Sequence, residues 1–150
     1  MTKSEIIALA LSKLQRRIEE VQQQIVETEK SQAEDSKSSA GDKFETGRER
    51  LQQELDRLNA QLLYLQEQRL ALEYAGRKES SVKSALGSLV TLRNGARYLV
   101  AVGYGKLKLN DGSQVFVVSP EAPIGQVLLN KVAGESFDFR NNTFHIQTIE

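Results

Sequence analysis

Two acidic side chains, Asp42 and Glu45, stand three residues apart in the run Gly41-Asp42-Lys43-Phe44-Glu45. On a helix that spacing makes them neighbours on one face. Carboxylate oxygens are the ligands that magnesium prefers, and magnesium usually keeps several waters, so one or two supplied carboxylates can complete a site. Two alone are too few to hold the ion tightly. Asp-x-x-Glu at the start of a helix is equally a capping-box-like arrangement, in which the first acid accepts from a backbone N–H and the second reaches back. The two roles are compatible.

The remaining chemistry-bearing residues are sparse. Glu34 and Asp35 are further acids in the same neighbourhood and read as solvated loop charge, while Arg48 and Arg50 could meet phosphates but fit a solvated helix face. The lone His145 falls in a strand pattern with no second histidine or cysteine to share a metal, and reads as structural. Ser119-Pro120 has no acid–base partner beside it. With no cysteine in the chain, disulfides, thiolate zinc sites and cysteine nucleophiles are excluded.

Composition sets further bounds. The 150 residues suit one ordinary domain or two small ones. Twenty basic side chains balance twenty acidic ones, which does not favour non-specific attraction to DNA or to an anionic membrane. No apolar run approaches the roughly 18 residues needed to span a bilayer. The first residues read as the start of an amphipathic helix and not as a cleavable signal peptide. A soluble cytoplasmic protein is the expectation. Tryptophan is absent and aromatics are few, which argues against binding single strands through stacked bases.

The acids must be positioned by the first half of the chain. Residues from about 3 to 78 contain no proline and are rich in Leu, Gln, Glu, Lys and Arg, all good helix formers. One apolar seam reads Ile7, Leu11, Leu14, Ile18, Val21, Ile25, then Thr28 and Gln32. Its steps alternate four and three, the coiled-coil signature. A polar segment, Ser31 to Gly41, interrupts it, and the pattern resumes as Phe44, Arg48, Leu51, Leu55, Leu58, Leu62, Leu65, Arg69, Leu72. An interruption of about ten residues predicts an antiparallel helical hairpin over 1–78 with its tip near 31–45. Arms of this length span about 45–50 Å at 1.5 Å per residue. The seam turns polar near the bend, which predicts a firm stem and a weakly held tip. Phe44 falls on the seam and reads as a hydrophobic plug. Gly47 costs about 1 kcal/mol relative to alanine inside a helix.

A connector is expected at 79–85, in the stretch marked by Gly76, Ser80, Ser81 and Ser84. From residue 86 onward the pattern alternates in strand fashion. Asn94-Gly95 and Asp111-Gly112 are strong hairpin turn signals, flanked by Ser88–Arg93 and Arg97–Gly103, and by Tyr104–Leu109 and Gln114–Val118. Pro120 and Pro123 introduce a short helix over Ile124–Asn130. Gly134 turns the chain into Ser136–Phe139, and Asn141-Asn142 turns it into Thr143–Ile149. The expected fold class is α+β: a helical hairpin followed, over 86–150, by an antiparallel sheet with one helix against it.

This order of parts resembles the GreA/GreB family of bacterial transcript-cleavage factors. Leu86-Gly87-Ser88-Leu89-Val90-Thr91-Leu92 is similar to the opening strand of that family's C-terminal domain. The run Val117-Val118-Ser119-Pro120-Glu121-Ala122-Pro123-Ile124-Gly125-Gln126-Val127-Leu128-Leu129-Asn130-Lys131-Val132-Ala133-Gly134-Glu135 is similar to its serine-proline, helix and lysine-x-x-glycine-acid segment. At the tip, Gly41, Asp42 and Glu45 match the family's Gly-Asp-x-x-Glu. Thr46, Gly47, Arg48 and Glu49 stand where the family commonly has asparagine, a small residue, an acid and tyrosine.

The resemblance implies an FKBP-like C-terminal domain without prolyl isomerase activity that docks on RNA polymerase. It implies that the hairpin enters the polymerase secondary channel and that the backtracked RNA 3′ end is met there. The family role implied for Asp42 is a magnesium ligand, and for Glu45 water orientation or secondary ligation. Phosphodiester hydrolysis uses two divalent ions, one on the nucleophile and one on the leaving oxygen. The chain would thus stimulate the polymerase's own nuclease and not be an enzyme itself. It would have no cofactor of its own, no membrane partner and a mostly monomeric state. Two rivals stand beside this reading: a relative that enters the same channel and modulates transcription without cleavage, and a coiled-coil scaffold or chaperone with a peptide-binding C-terminal module.

Overall fold

The computed structural model describes residues 1–35 and 42–150, with side chains described for 1–34 and 46–150. The order is α1 (Lys3–Asp35), α2 (Asp42–Arg77), β1 (Leu89–Leu92), β2 (Arg97–Val100), β3 (Gly105–Lys108), β4 (Gln114–Val118), α3 (Pro123–Leu128), β5 (Ser136–Phe139) and β6 (Asn142–Ile149). The chain divides into two compact units, Lys13–Glu67 and the combination of Met1–Ser12 with Gln68–Glu150.

α1 is opened by a capping box. Thr2 N donates to Glu5 Oε2 at 2.8 Å while Glu5 N donates to Thr2 Oγ1 at 3.2 Å, which satisfies two otherwise orphaned donors. The helix runs on through Ser31 to Asp35, past the expected start of the polar break. Gln32, Ala33 and Glu34 are adequate helix formers, and polarity alone does not end a helix. α2 opens at Asp42 and closes at Arg77.

Within Lys13–Glu67 the two helical segments bury Leu14, Ile18 and Val21 together with Leu55, Leu58 and Leu65. Each such side chain contributes on the order of 1.5–3 kcal/mol by leaving water. Farther along, Gln32 Nε2 donates to Gln52 Oε1 at 3.1 Å, which joins the last turns of α1 to the early turns of α2.

The other unit is built around a six-stranded sheet in the order β3-β4-β2-β1-β6-β5. The sheet is antiparallel except that β2 and β4 run parallel, with Tyr98 opposite Phe116 and Val100 opposite Val118. This departs from the wholly antiparallel expectation. The cause lies in β3, which does not pair with β2. The β3–β4 hairpin folds inward, so β4 is inserted beside β2 and β3 becomes the edge.

The tight turns agree with their sequence signals. Gly95 and Gly112 have φ of 92° and 88°, the left-handed region that glycine adopts without steric cost. The β5–β6 turn sits one residue earlier than expected. Arg140 and Asn141 have φ of 51° and 64°, two successive positive values as a type I′ loop requires, and Asn142 already begins β6.

One sheet face carries Leu89, Leu99, Leu107, Val115 and Val117, all buried, and Ile6, Ile7, Ala10, Leu72 and Ala75 from the helix ends are buried in the same unit. The other face forms a cluster of Val90, Leu92, Val100, Leu128, Phe137 and Ile146, with Ile124 and Val127 of α3 packed against it. This explains a shift in the seam. Ala10 and Gln68 are buried where the four–three stepping had placed Leu11 and Arg69. A helix packed on two neighbours buries a wider stripe than a coiled-coil seam. Arg69 instead lies half-buried, 3.9 Å from Glu73.

Candidate functional site

The sequence-derived site lies at the start of α2. The helix begins at Asp42, which puts Asp42 and Glu45 in its first turn. Their side chains, with those of Asp35, Lys43 and Phe44, lie outside the described residues. The nearest described surroundings are polar. Thr46, Arg48, Glu49 and Arg50 are exposed, and Gly47 is half-buried. Arg48 lines a shallow cleft of about 360 Å³ with Glu29, Gln32, Ala33 and Gln52.

Hydrogen-bonded amides replace apolar packing along this stretch. Gln52 accepts from Gln32 and donates through Nε2 to Asp56 Oδ1 at 3.0 Å. Thr28 Oγ1 donates back to the Gln24 carbonyl at 2.8 Å, and so spends its hydroxyl within its own helix. One turn further on, Arg57 clamps Glu54 in two hydrogen bonds of 3.0 and 2.6 Å. That hydrogen bond holds the exposed Glu54 carboxyl below its usual range, with attraction to the Arg57 charge adding to it. Exposed amide and ion pairs are screened by water and stabilise far less than a buried leucine. The described stretches 28–32 and 52–57 are therefore joined less firmly than the leucine-lined stem.

The other chemistry-bearing residues are accounted for locally. Ser119 Oγ accepts from Glu121 N at 3.1 Å, and the Ser119 carbonyl accepts from Ala122 N at 3.1 Å, so this serine shapes the entry to α3. Pro123 then occupies the first turn of the helix. His145 is exposed on β6 and lines a cleft of about 280 Å³ with Arg93, Asn94, Thr143 and Phe144. Glu34 is exposed. Among the described residues, no three His, Cys, Asp or Glu side chains are grouped so as to hold a metal ion. Among them, too, no helix is long and apolar enough to cross a membrane.

Three positions with structural weight carry no obvious sequence signal. Gln68, 5 % exposed, donates from Nε2 to the Gly103 carbonyl at 3.0 Å. Ser84, fully buried, donates from Oγ to the Leu128 carbonyl and accepts from Lys131 N at 2.9 Å. Its backbone N donates to the Lys131 carbonyl and its carbonyl accepts from Asn130 N, both at 2.8 Å. The expected connector is thus tied to the end of α3 by four hydrogen bonds. Lys78 covers Gly87, where an added Cβ would lie 3.0 Å from Lys78 Cδ, and its Nζ is buried without a hydrogen-bond partner.

No protein-family model and no curated protein matches the chain. Among solved structures, it is similar to one described as the structure of the transcription factor Gfh1. The two share 22% identity over 94% of this chain and 93% of that one, with a TM-score of 0.37.

Proposed function

We propose that this chain is a GreA/GreB-like elongation factor of the cytoplasm that binds bacterial RNA polymerase. The helical pair enters the secondary channel and stimulates cleavage of backtracked RNA. The observation that carries this reading is the order of parts: a helical pair whose second helix opens at Asp42, then a sheet domain whose only described helix coincides with the serine-proline run. In this reading Asp42 contributes a carboxylate to a magnesium ion seated in the polymerase, and Glu45 orients the attacking water. The ion supplies charge neutralisation and an activated water, and this chain supplies oxygens and reach. Behind the first turn of α2 the described packing is amide-lined, with Gln32, Gln52 and Asp56 joined by hydrogen bonds.

Stalled, backtracked elongation complexes built with polymerase from the same source test the proposal. Wild type shortens the transcript, and Asp42→Ala and Glu45→Ala each slow that shortening by at least about tenfold. Absence of shortening with wild type removes the cleavage assignment. Equal cleavage by both variants removes the site assignment.

A second reading, a channel-entering modulator that does not cleave, is favoured by Thr46 and Gly47 after the second acid. It predicts that wild type alters RNA synthesis on the same complexes while leaving transcript ends unshortened.

A further inference from the structure

β6 is paired unevenly along its length. Its first half, Asn142 to His145, pairs with β5, while β1 pairs only with its second half, from Ile146 to Ile149. β1 lets go after the hydrogen bond from Arg93 N to the His145 carbonyl, and Asn94-Gly95 then turns the chain away into β2. Where β1 departs, a cleft of about 280 Å³ opens, lined by Arg93, Asn94, Thr143, Phe144 and His145. All five belong to the sheet-bearing unit.

Two features of the cleft identify its occupant. The first is a stretch of open strand edge. Backbone groups alternate sides along a strand. Ile146 N donates toward β5, to the Glu135 carbonyl, while the His145 carbonyl faces β1. Thr143, two residues before His145, therefore turns its N–H and C=O toward the cleft, where no described strand meets them. An open edge of this kind pairs with an extended chain. The second feature is charge. Arg93 and His145 are exposed, and among the described residues neither side chain is held by a hydrogen bond or an ion pair. No carboxylate lines the cleft. Asp138, opposite Thr143 on β5, instead accepts from Thr143 Oγ1 at 2.6 Å. The guanidinium offers a fork of N–H donors, and the imidazole adds another.

We propose that this cleft is a docking site for an extended acidic segment of a partner protein, which adds as a short strand along Thr143 and sets its carboxylates against Arg93 and His145. Main-chain hydrogen bonds supply the register, and the carboxylate–guanidinium contact supplies selectivity. A nucleic-acid backbone fits less well: its phosphates are acceptors only, so the Thr143 carbonyl would stay unpaired. The open edge is short, so binding is expected to be weak, in the micromolar-to-millimolar range. The proposal does not rest on the polymerase reading, and its test contains no polymerase.

Two-dimensional NMR titration of the full chain with a short blocked peptide, alternating valine with aspartate, reads this directly. The peptide shifts the amides of 93–94 and 143–145 and saturates within the millimolar range. Arg93→Gln, at an exposed position, weakens it at least about tenfold. The same peptide with lysine in place of aspartate binds at least about tenfold more weakly. Thr143→Pro removes the N–H that faces the cleft and keeps the β5 side of the strand, so it abolishes binding, whereas Thr143→Val retains it. Circular dichroism checks that each variant is folded, and the Arg93→Gln and lysine-peptide arms decide the matter if Thr143→Pro is not. Absence of shifts at these amides overturns the proposal, as does equal binding of the two peptides or indifference to Arg93→Gln. Wild-type binding by Thr143→Pro overturns the strand pairing. Oligouridylate that shifts the same amides at lower concentration than the acidic peptide overturns the choice of a protein partner.

Discussion

Gln68 on α2 donates a hydrogen bond from Nε2 to the carbonyl oxygen of Gly103, 3.0 Å away and thirty-five residues later. The amide is buried in a row of leucines, and the carbonyl it holds belongs to Gly103, the one exposed residue of the link between β2 and β3. Gln68→Leu exchanges that hydrogen bond for apolar contact at similar volume. Its net effect on stability is expected to stay within about 1 kcal/mol, because a carbonyl released to the surface finds water. Hydrogen exchange should reveal the change instead, through faster exchange of the amides at 101–104. Unchanged exchange there would show that the link is held by other contacts alone.

Ser84 is expected to be far less tolerant. Its hydroxyl serves both the Leu128 carbonyl and the Lys131 amide from a fully buried position. Ser84→Ala strands both, and each stranded buried group costs about 1–3 kcal/mol. Urea denaturation should show a loss of at least about 1 kcal/mol, while Ser80→Ala, at an exposed position, should stay within about 0.5 kcal/mol of wild type.

Lys3 sets a pH dependence whose sign can be worked out. Burial holds the Lys3 ammonium below its usual range, the nearby Lys78 charge adds to this, and Glu150 opposes it. A base whose folded value is depressed binds protons more readily when unfolded. Its charge therefore costs stability at neutral pH, and the cost fades as pH rises through the depressed value toward the ordinary lysine range. Burial raises Tyr98 and Tyr104, so each adds stability below the ordinary tyrosine value that is lost as pH rises through its raised one. These effects overlap in alkaline solution, and the difference between wild type and Lys3→Met isolates the lysine. That difference should favour the variant at pH 7 and shrink by pH 10.

Lys78→Met removes a buried nitrogen with no hydrogen-bond partner while keeping the stem that covers Gly87. It should raise the thermal midpoint, by the equivalent of about 1–3 kcal/mol at most. A lower midpoint in calorimetry would mean that the ammonium has an acceptor in solution.

Gly125 is needed for space and not for its backbone angles. A Cβ there would collide with the Ser119 carbonyl and lie 3.0 Å from Pro120 Cα. Gly125→Ala should cost about 1–3 kcal/mol by overpacking. It should also perturb the Glu121 and Ala122 amides that Ser119 holds, which two-dimensional NMR would register.

The legible parts of this fold are those whose information is local. Asn94-Gly95 and Asp111-Gly112 mark real turns because only particular residues take positive φ without cost. Ser136–Phe139 is delimited by its flanking turns, and the two helices by their leucine period. The parallel pairing of β2 with β4 could not be read, because hydrophobic alternation says which way a side chain faces and nothing about which strand lies alongside. The choice of Gln68 over Arg69 is hidden for a related reason. The helix end packs on more than its helical partner, and the four–three stepping describes only that partner. Arg140-Asn141 in place of Asn141-Asn142 is a slip by one residue, between neighbours that both tolerate the turn. For Asp42 and Glu45, spacing placed both acids in the first turn of a helix, and that is as far as sequence and fold together carry them.

The pairing of β1 with β6 has a consequence for biosynthesis. β1 sits between β2 and β6, so its second edge stays open until the last strand has been made. The helical pair, complete in sequence by Arg77, can form while the ribosome is still translating the sheet. A nascent chain paused before residue 142 would present β1 as a sticky, half-dressed edge, the kind of surface that chaperones recognise and that aggregates when left unattended.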